Sequence, residues 1–192
     1  MKLRVLLIDE EQDRRALLQE ALDAAGFAVI VSAAPGDDLS GLVRRVQPDV
    51  IVMDVDSPDR DTLEHMCCIA RDMPRPIVMF THDEDADKMR TAIRAGVSAY
   101  VVGGIPSERI KPIMDVAVLR FEQHQALCAE LQQAKASLAD RKVIDRAKGI
   151  LMRQRNCDEE AAYRALRKLA MDRNRRLVEV AQSVVDAMEL LG

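Results

Sequence analysis

Five short apolar runs punctuate the first 120 positions, at 3–8, 27–32, 50–55, 77–81 and 99–102. Each is rich in Val and Ile and lacks strict alternation, as strands covered on both faces do. Between them, polar and apolar residues recur with helical spacing near 11–25, 37–46, 59–73, 84–95 and 106–120. Strand and helix alternating five times predicts an α/β fold, a doubly wound, flavodoxin-like five-stranded parallel sheet. In such sheets, ligands and chemistry collect at the carboxyl ends of the strands.

Past residue 106 the pattern is helical. Met114, Ala117, Phe121, His124, Cys128, Leu131, Lys135 and Leu138 recur by threes and fours. That spacing predicts a connecting helix over 110–138 with a coiled-coil seam, interrupted by His124 and Lys135. Two readings stay open, a dimerising stalk and a single helix packed along the flanking domains. From 138 to 192 three short helices are expected, forming a small all-α domain. The first ends near Arg155–Asn156, and the second starts at Asp158, whose carboxylate suits a helix start. The third repeats Leu177, Ala181, Val184, Met188 and Leu191 as its core stripe.

Charge sharpens this division. The chain of 192 residues has a net charge of −4. Residues 1–120 hold 15 Lys/Arg against 21 Asp/Glu, whereas 138–176 hold 12 against 6. A basic module joined to an acidic one suggests that the tail meets a polyanion. On a helical wheel Val143, Ile144, Ala147, Ile150 and Leu151 share one arc, and Lys142, Arg146, Gly149 and Arg153 share another. Gly149 within the basic arc would let a partner approach the backbone closely. In the second helix Arg164, Arg167 and Lys168 lie together, and Tyr163 sits one turn from Arg167. Ring and guanidinium at that spacing suit a single unstacked base, as RNA-binding surfaces use; half-buried packing of Tyr163 is the competing reading.

The four cysteines form no C-x-x-C pair and the three histidines have no zinc spacing. The thiols are expected to be reduced, and buried or idle, as in a cytoplasmic protein. Lys2 and Arg4 lead into an apolar run too short for a secretory signal, and no apolar stretch approaches a membrane span.

The strand ends carry the candidate chemistry. The first run ends in Asp9-Glu10, the third in Asp54-Val55-Asp56-Ser57-Pro58 and the fourth in Thr81. Acidic residues converging from two strands make a site for a hard divalent cation, most naturally Mg²⁺. A carboxylate beside that cation can attack phosphorus, since the metal neutralises the incoming phosphoryl charge.

Asp9-Glu10, Asp54 with Pro58, Thr81 and the stretch Gly96-Val97-Ser98-Ala99-Tyr100 resemble the receiver domains of two-component response regulators over 1–120. The resemblance implies Asp54 as phospho-acceptor and Asp9, Glu10, Asp54 and Asp56 around Mg²⁺, Asp56 contributing through its backbone. It also implies Thr81 and Tyr100 as switch residues. The chain departs from the receiver pattern after the fifth strand, where Gly103 stands in place of a phosphate-binding Lys. Loss of that cation weakens phosphate control and favours a protein partner as the operating signal.

Ile144-x-Arg146-Ala147-Lys148-Gly149-Ile150-Leu151-Met152, Glu160-Ala161-Ala162-Tyr163, Leu166-Arg167 and Ala170-Met171 resemble the ANTAR domain over 138–192. This implies binding to leader-RNA stem-loops that prevents transcription termination. Arg146, Lys148, Gly149, Arg153, Tyr163, Arg164, Arg167 and Lys168 are then the expected RNA contacts. The whole chain is similar to NasT-type antiterminators of nitrate assimilation. That likeness implies a nitrate- or nitrite-sensing inhibitor protein as partner and a homodimer when active. The function so implied is regulation without enzymatic turnover; the competing reading is a phosphorylation-controlled regulator that binds duplex DNA.

Overall fold

The computed structural model describes residues 2–103 and 107–189, in two compact units, 1–125 and 126–192. In the first unit β1 (Arg4–Asp9), β2 (Ala28–Ala33), β3 (Val50–Asp54), β4 (Ile77–Thr81) and β5 (Ala99–Val102) alternate with helices. The helices are α1 (Gln12–Ala24), α2 (Leu39–Val46), α3 (Arg60–Asp72) and α4 (Ala86–Arg94). The strands form one parallel sheet in the order β2-β1-β3-β4-β5.

Successive side chains of a strand point to opposite faces, so each central strand feeds two cores. Leu6, Ile8, Ile51, Met53, Ile77 and Met79 pack with Leu39, Val43, Leu63, Met66 and Ile69 on one face. Val5, Leu7, Val50, Val52, Val78 and Phe80 pack with Leu18, Leu22, Ile110, Met114 and Ala117 on the other. Burial on both sides explains why β1, β3 and β4 read as near-continuous apolar runs. Gly96, with φ +105, makes the turn into β5, and a Cβ there would lie 2.4 Å from that of Ala70.

The expected strand and helix positions agree with this architecture to within a few residues, and the expected start of the fifth helix at Pro106 lies outside the described residues. The connecting helix and the first tail helix, however, are not separate. They form one helix, α5 (Ile110–Arg155), of 46 residues. No glycine other than Gly149 and no proline beyond Pro112 interrupts it, so nothing in the sequence stops it before Asn156. Met114 and Ala117, expected on a coiled-coil seam, are fully buried in the receiver-side core instead. A seam and a helix packed on a sheet share the same three–four spacing, and the sheet claims these two residues.

In the second unit the end of α5 packs with α6 (Glu159–Asp172) and α7 (Leu177–Glu189). Ala147, Ile150 and Leu151 meet Ala162, Leu166, Ala170, Val180, Ala181 and Val185. Leu191, expected on the last core stripe, lies outside the described residues. Two asparagines end helices in the left-handed region, Asn156 at φ 48 and Asn174 at φ 50. After α6, the Asn174 N–H donates to the Met171 carbonyl and the Arg175 N–H to the Ala170 carbonyl, the paired bonds of a Schellman stop. Asp158 caps α6 by accepting the Ala161 N–H at 2.7 Å. Every α5 residue from 126 to 139 is exposed.

Candidate functional site

The register of β1 and β3 places Asp9 beside Asp54 at the carboxyl end of the sheet. Both are buried, whereas Asp56 in the loop after β3 and Glu10 after β1 are exposed. Asp9 accepts the Glu11 N–H at 2.8 Å. A third charged group completes the cluster, the Arg14 guanidinium from the first turn of α1. Its Nη2 lies 3.2 Å from Asp9 Oδ1, its Nε 3.4 Å from Asp54 Oδ2 and its Nη1 2.9 Å from Asp56 Oδ1. His82 Nδ1 stands 3.6 Å from the same Asp56 oxygen.

These contacts set the electrostatics. Burial pushes the Asp54 carboxyl up, and the Arg14 charge offsets part of that rise. Asp56, hydrogen-bonded to Arg14, is held below the ordinary carboxylate range. Burial opposes the charge on Arg14, but its bonds to Asp56 and Asp9 outweigh that and raise it further. Asp54 Oδ1 is buried without a hydrogen-bond partner. Thr81 Oγ donates to the Asp56 carbonyl at 2.8 Å and accepts the Asp83 N–H at 3.1 Å. The Tyr100 hydroxyl donates to the Asp83 carbonyl at 3.3 Å. Asp83 is itself clamped by the Lys88 ammonium and the Ser57 hydroxyl, each at 2.6 Å, which lowers its pKa strongly.

In the helical unit Arg146, Arg153, Tyr163, Arg164, Arg167 and Lys168 are exposed. Arg146 pairs with Glu189 at 2.8 Å. Gly149 is half-buried on the same arc as Arg146 and Arg153, and a Cβ there would meet nothing within 4 Å. Lys148 is placed differently. Its side chain is only 15% exposed and lies 2.6 Å from Asp145 and 2.7 Å from Glu159, tying α5 to the start of α6.

Residues 5–115 match the response regulator receiver domain, and residues 132–185 match the ANTAR domain. The transcriptional regulatory protein PdtaR of Mycobacterium tuberculosis is 31% identical over 185 residues, 96% of this chain and 90% of that protein. The chain belongs to the response regulators that join a receiver to an ANTAR domain. The nitrate regulatory protein of Klebsiella oxytoca is 36% identical over 80 residues, 42% of this ANTAR response regulator but only 20% of that protein. A LuxR-family response regulator from Aurantimonas superposes with a TM-score of 0.56 at 24% identity, over 62% of this chain and 86% of its own. A Thermotoga maritima response regulator does so at 0.54 and 18%, over 62% and 98%. These two establish the receiver fold alone. An ANTAR response regulator related over its length to a transcriptional regulator is a regulator and not an enzyme.

In this structure the carboxylates expected to hold Mg²⁺ are turned onto Arg14. Among the described residues no three His, Cys, Asp or Glu side chains gather closely enough to hold an ion. Glu10 is exposed, the Asp9, Asp54 and Asp56 carboxylates are ion-paired with Arg14, and the Asp56 carbonyl accepts the Thr81 hydroxyl. Sequence reasoning missed Arg14 because a positive residue in the first turn of a helix is ordinary, and only the folded sheet end brings it over three acids. At Gly103, φ is +94, a conformation suited to glycine, so the missing Lys is a matter of backbone as well as of side chain. Cys67, Cys68 and Cys128 are exposed and Cys157 is half-buried, all as thiols rather than disulfides. No described helix is long and apolar enough to cross a membrane.

Proposed function

We propose that the chain is a cytoplasmic transcription antiterminator whose ANTAR unit, 138–192, grips stem-loops in a leader RNA. The receiver, 1–120, and the connecting segment, 110–138, control when that unit is free. The observation that carries this reading is Gly149. A glycine inside a helix costs about 1 kcal/mol relative to alanine, and nothing inside the protein requires it, since a Cβ would meet open space. Its use lies outside the chain, where a phosphate backbone can approach between Arg146 and Arg153. Arg164, Arg167 and Lys168 extend the contacts on α6, and Tyr163, 41% exposed, stacks a base beside Arg167. Lys148 would contribute only by giving up its two carboxylate partners.

The operating signal in this reading is a sensor protein and not phosphorylation of Asp54. Gly103 supplies no phosphate-binding cation, and the switch residues Thr81 and Tyr100 are already engaged with the loops after β3 and β4. Likeness to the nitrate regulatory protein over part of the chain supports nitrate or nitrite assimilation genes as the target and a nitrate-binding protein as the sensor. Leu127, Leu131, Ala134 and Leu138, exposed and spaced four, three and four apart, suit the seam of a homodimer.

Binding of the full chain to a leader RNA with two stem-loops, measured by fluorescence anisotropy across a salt series, tests this. Affinity should fall linearly on a log–log plot, with a slope of roughly −0.7 to −0.9 per phosphate neutralised. Replacing Arg153 and Arg167 together should weaken binding by on the order of tenfold or more. Equal affinity for a scrambled hairpin would refute the stem-loop assignment.

A further inference from the structure

The acidic pocket at the sheet end is already electrically satisfied from within. Asp9 has no exposed surface and Asp54 is 4% exposed. Two such carboxylates side by side repel each other and cannot both stay ionised without a cation. A divalent ion is one solution, but Arg14 is another. Guanidinium keeps its proton at any ordinary pH and spreads its donors in a fixed plane. Here that plane reaches all three acids at once, at 3.2, 3.4 and 2.9 Å. Its side chain remains 22% exposed, so it has a path out toward solvent. A divalent ion seated among the same oxygens would stand about 4 Å from the guanidinium, where like charges repel strongly in a half-buried site.

The surroundings are arranged to match. Gly103 presents no cation and the Lys88 ammonium is engaged by Asp83 and Ser57. Arg15 lies nearby, but its Nη2 donates to the Asp9 carbonyl and not to a carboxylate. Among the described residues, the Arg14 guanidinium offsets the buried Asp54 charge most, and His82, exposed beside Asp56, adds a smaller contribution. Asp54 Oδ1, buried and without a partner, is the oxygen that the fork leaves unserved.

We infer that Arg14 is the resident cation of the receiver pocket, and that a divalent metal reaches Asp54 only by displacing it. The charge balance that a receiver resembling this one would draw from solution is supplied here by α1. The inference is independent of the RNA reading, and neither stands or falls with the other.

Mn²⁺ titration of the full chain tests it, with free ion followed by electron paramagnetic resonance. Arg14→Ala should bind Mn²⁺ about tenfold or more tightly than the wild type, as loss of a repelling charge at contact distance predicts. Adding Asp54→Asn to Arg14→Ala should abolish that gain, which locates the ion in this pocket and not among Asp83, Asp85 and Asp87. Should Arg14→Ala not fold, Arg14→Gln, which keeps a polar side chain of similar reach, takes its place. The wild type gives a second reading: MgCl₂ and NaCl at matched ionic strength should shift its melting temperature equally. Equal Mn²⁺ affinity in wild type and variant, no binding in either, tighter binding in the wild type, or a specific Mg²⁺ stabilisation of the wild type would each overturn the inference.

Discussion

Single residues carry the sharpest expectations. At Gly149 folding and binding pull in opposite directions. Gly149→Ala should stabilise the helical unit by about 1 kcal/mol in urea unfolding, because no neighbour resists a Cβ. The same change should weaken RNA binding if, as proposed, the backbone of the nucleic acid approaches at this glycine. Improved stability with unchanged affinity would remove Gly149 from the interface. Asp83 makes a different prediction. Its folded pKa is depressed by Lys88, Ser57 and the Asp85 N–H. Its contribution to stability is therefore complete above the ordinary carboxylate value, near 4, and is lost as pH falls below it. Other paired aspartates act in the same direction, so the wild-type urea midpoint should drop between about pH 5 and pH 3, and Asp83→Asn should flatten that drop. Asp54 works against the trend: its raised pKa makes protonation favour the folded state.

At the level of elements, legibility depended on whether spacing alone determines the outcome. Asp9 and Asp54 were readable as neighbours because parallel strands 3–8 and 50–55 can pair only with their acidic ends together. Arg14 was not, since its partners are chosen by reach across a folded surface and not by position in a repeat. Met114 and Ala117 were misplaced because a helix on a sheet and a helix on a helix bury the same three–four stripe. The length of α5 is half-legible: no breaker lies between Pro112 and Gly149, but the expected domain boundary near 138 suggests separate helices, and a domain boundary does not stop a helix. The stops near Asn156 and Asn174 are legible as positions, and the structure adds their cause, left-handed backbone at both asparagines. The start of α6 at Asp158 was legible. Asp158→Ala should cost the helical unit about 1 kcal/mol, measured as a lower urea midpoint with an unchanged slope, while the receiver unit melts as before.

For the whole molecule, the two units divide the work by charge as well as by fold. The receiver segment, 1–120, carries 21 Asp/Glu against 15 Lys/Arg, a balance that does not favour nucleic acid. The helical unit exposes cations whose partners, where they have any, are surface carboxylates such as Glu189, and exposed pairs are worth little. Binding a polyanion therefore costs the tail few good contacts. The match to a relative covers 96% of the chain, so both segments have counterparts in one protein.

The bare leucines between 127 and 138 tie the protein's behaviour to how much of it is present. No part of the described chain covers them, and a second copy would do so only above its own dissociation constant. If they are covered that way, dilution strips away a stabilising partner, and the melting temperature should climb with protein concentration. Leu131→Lys should make it the same in dilute and concentrated samples.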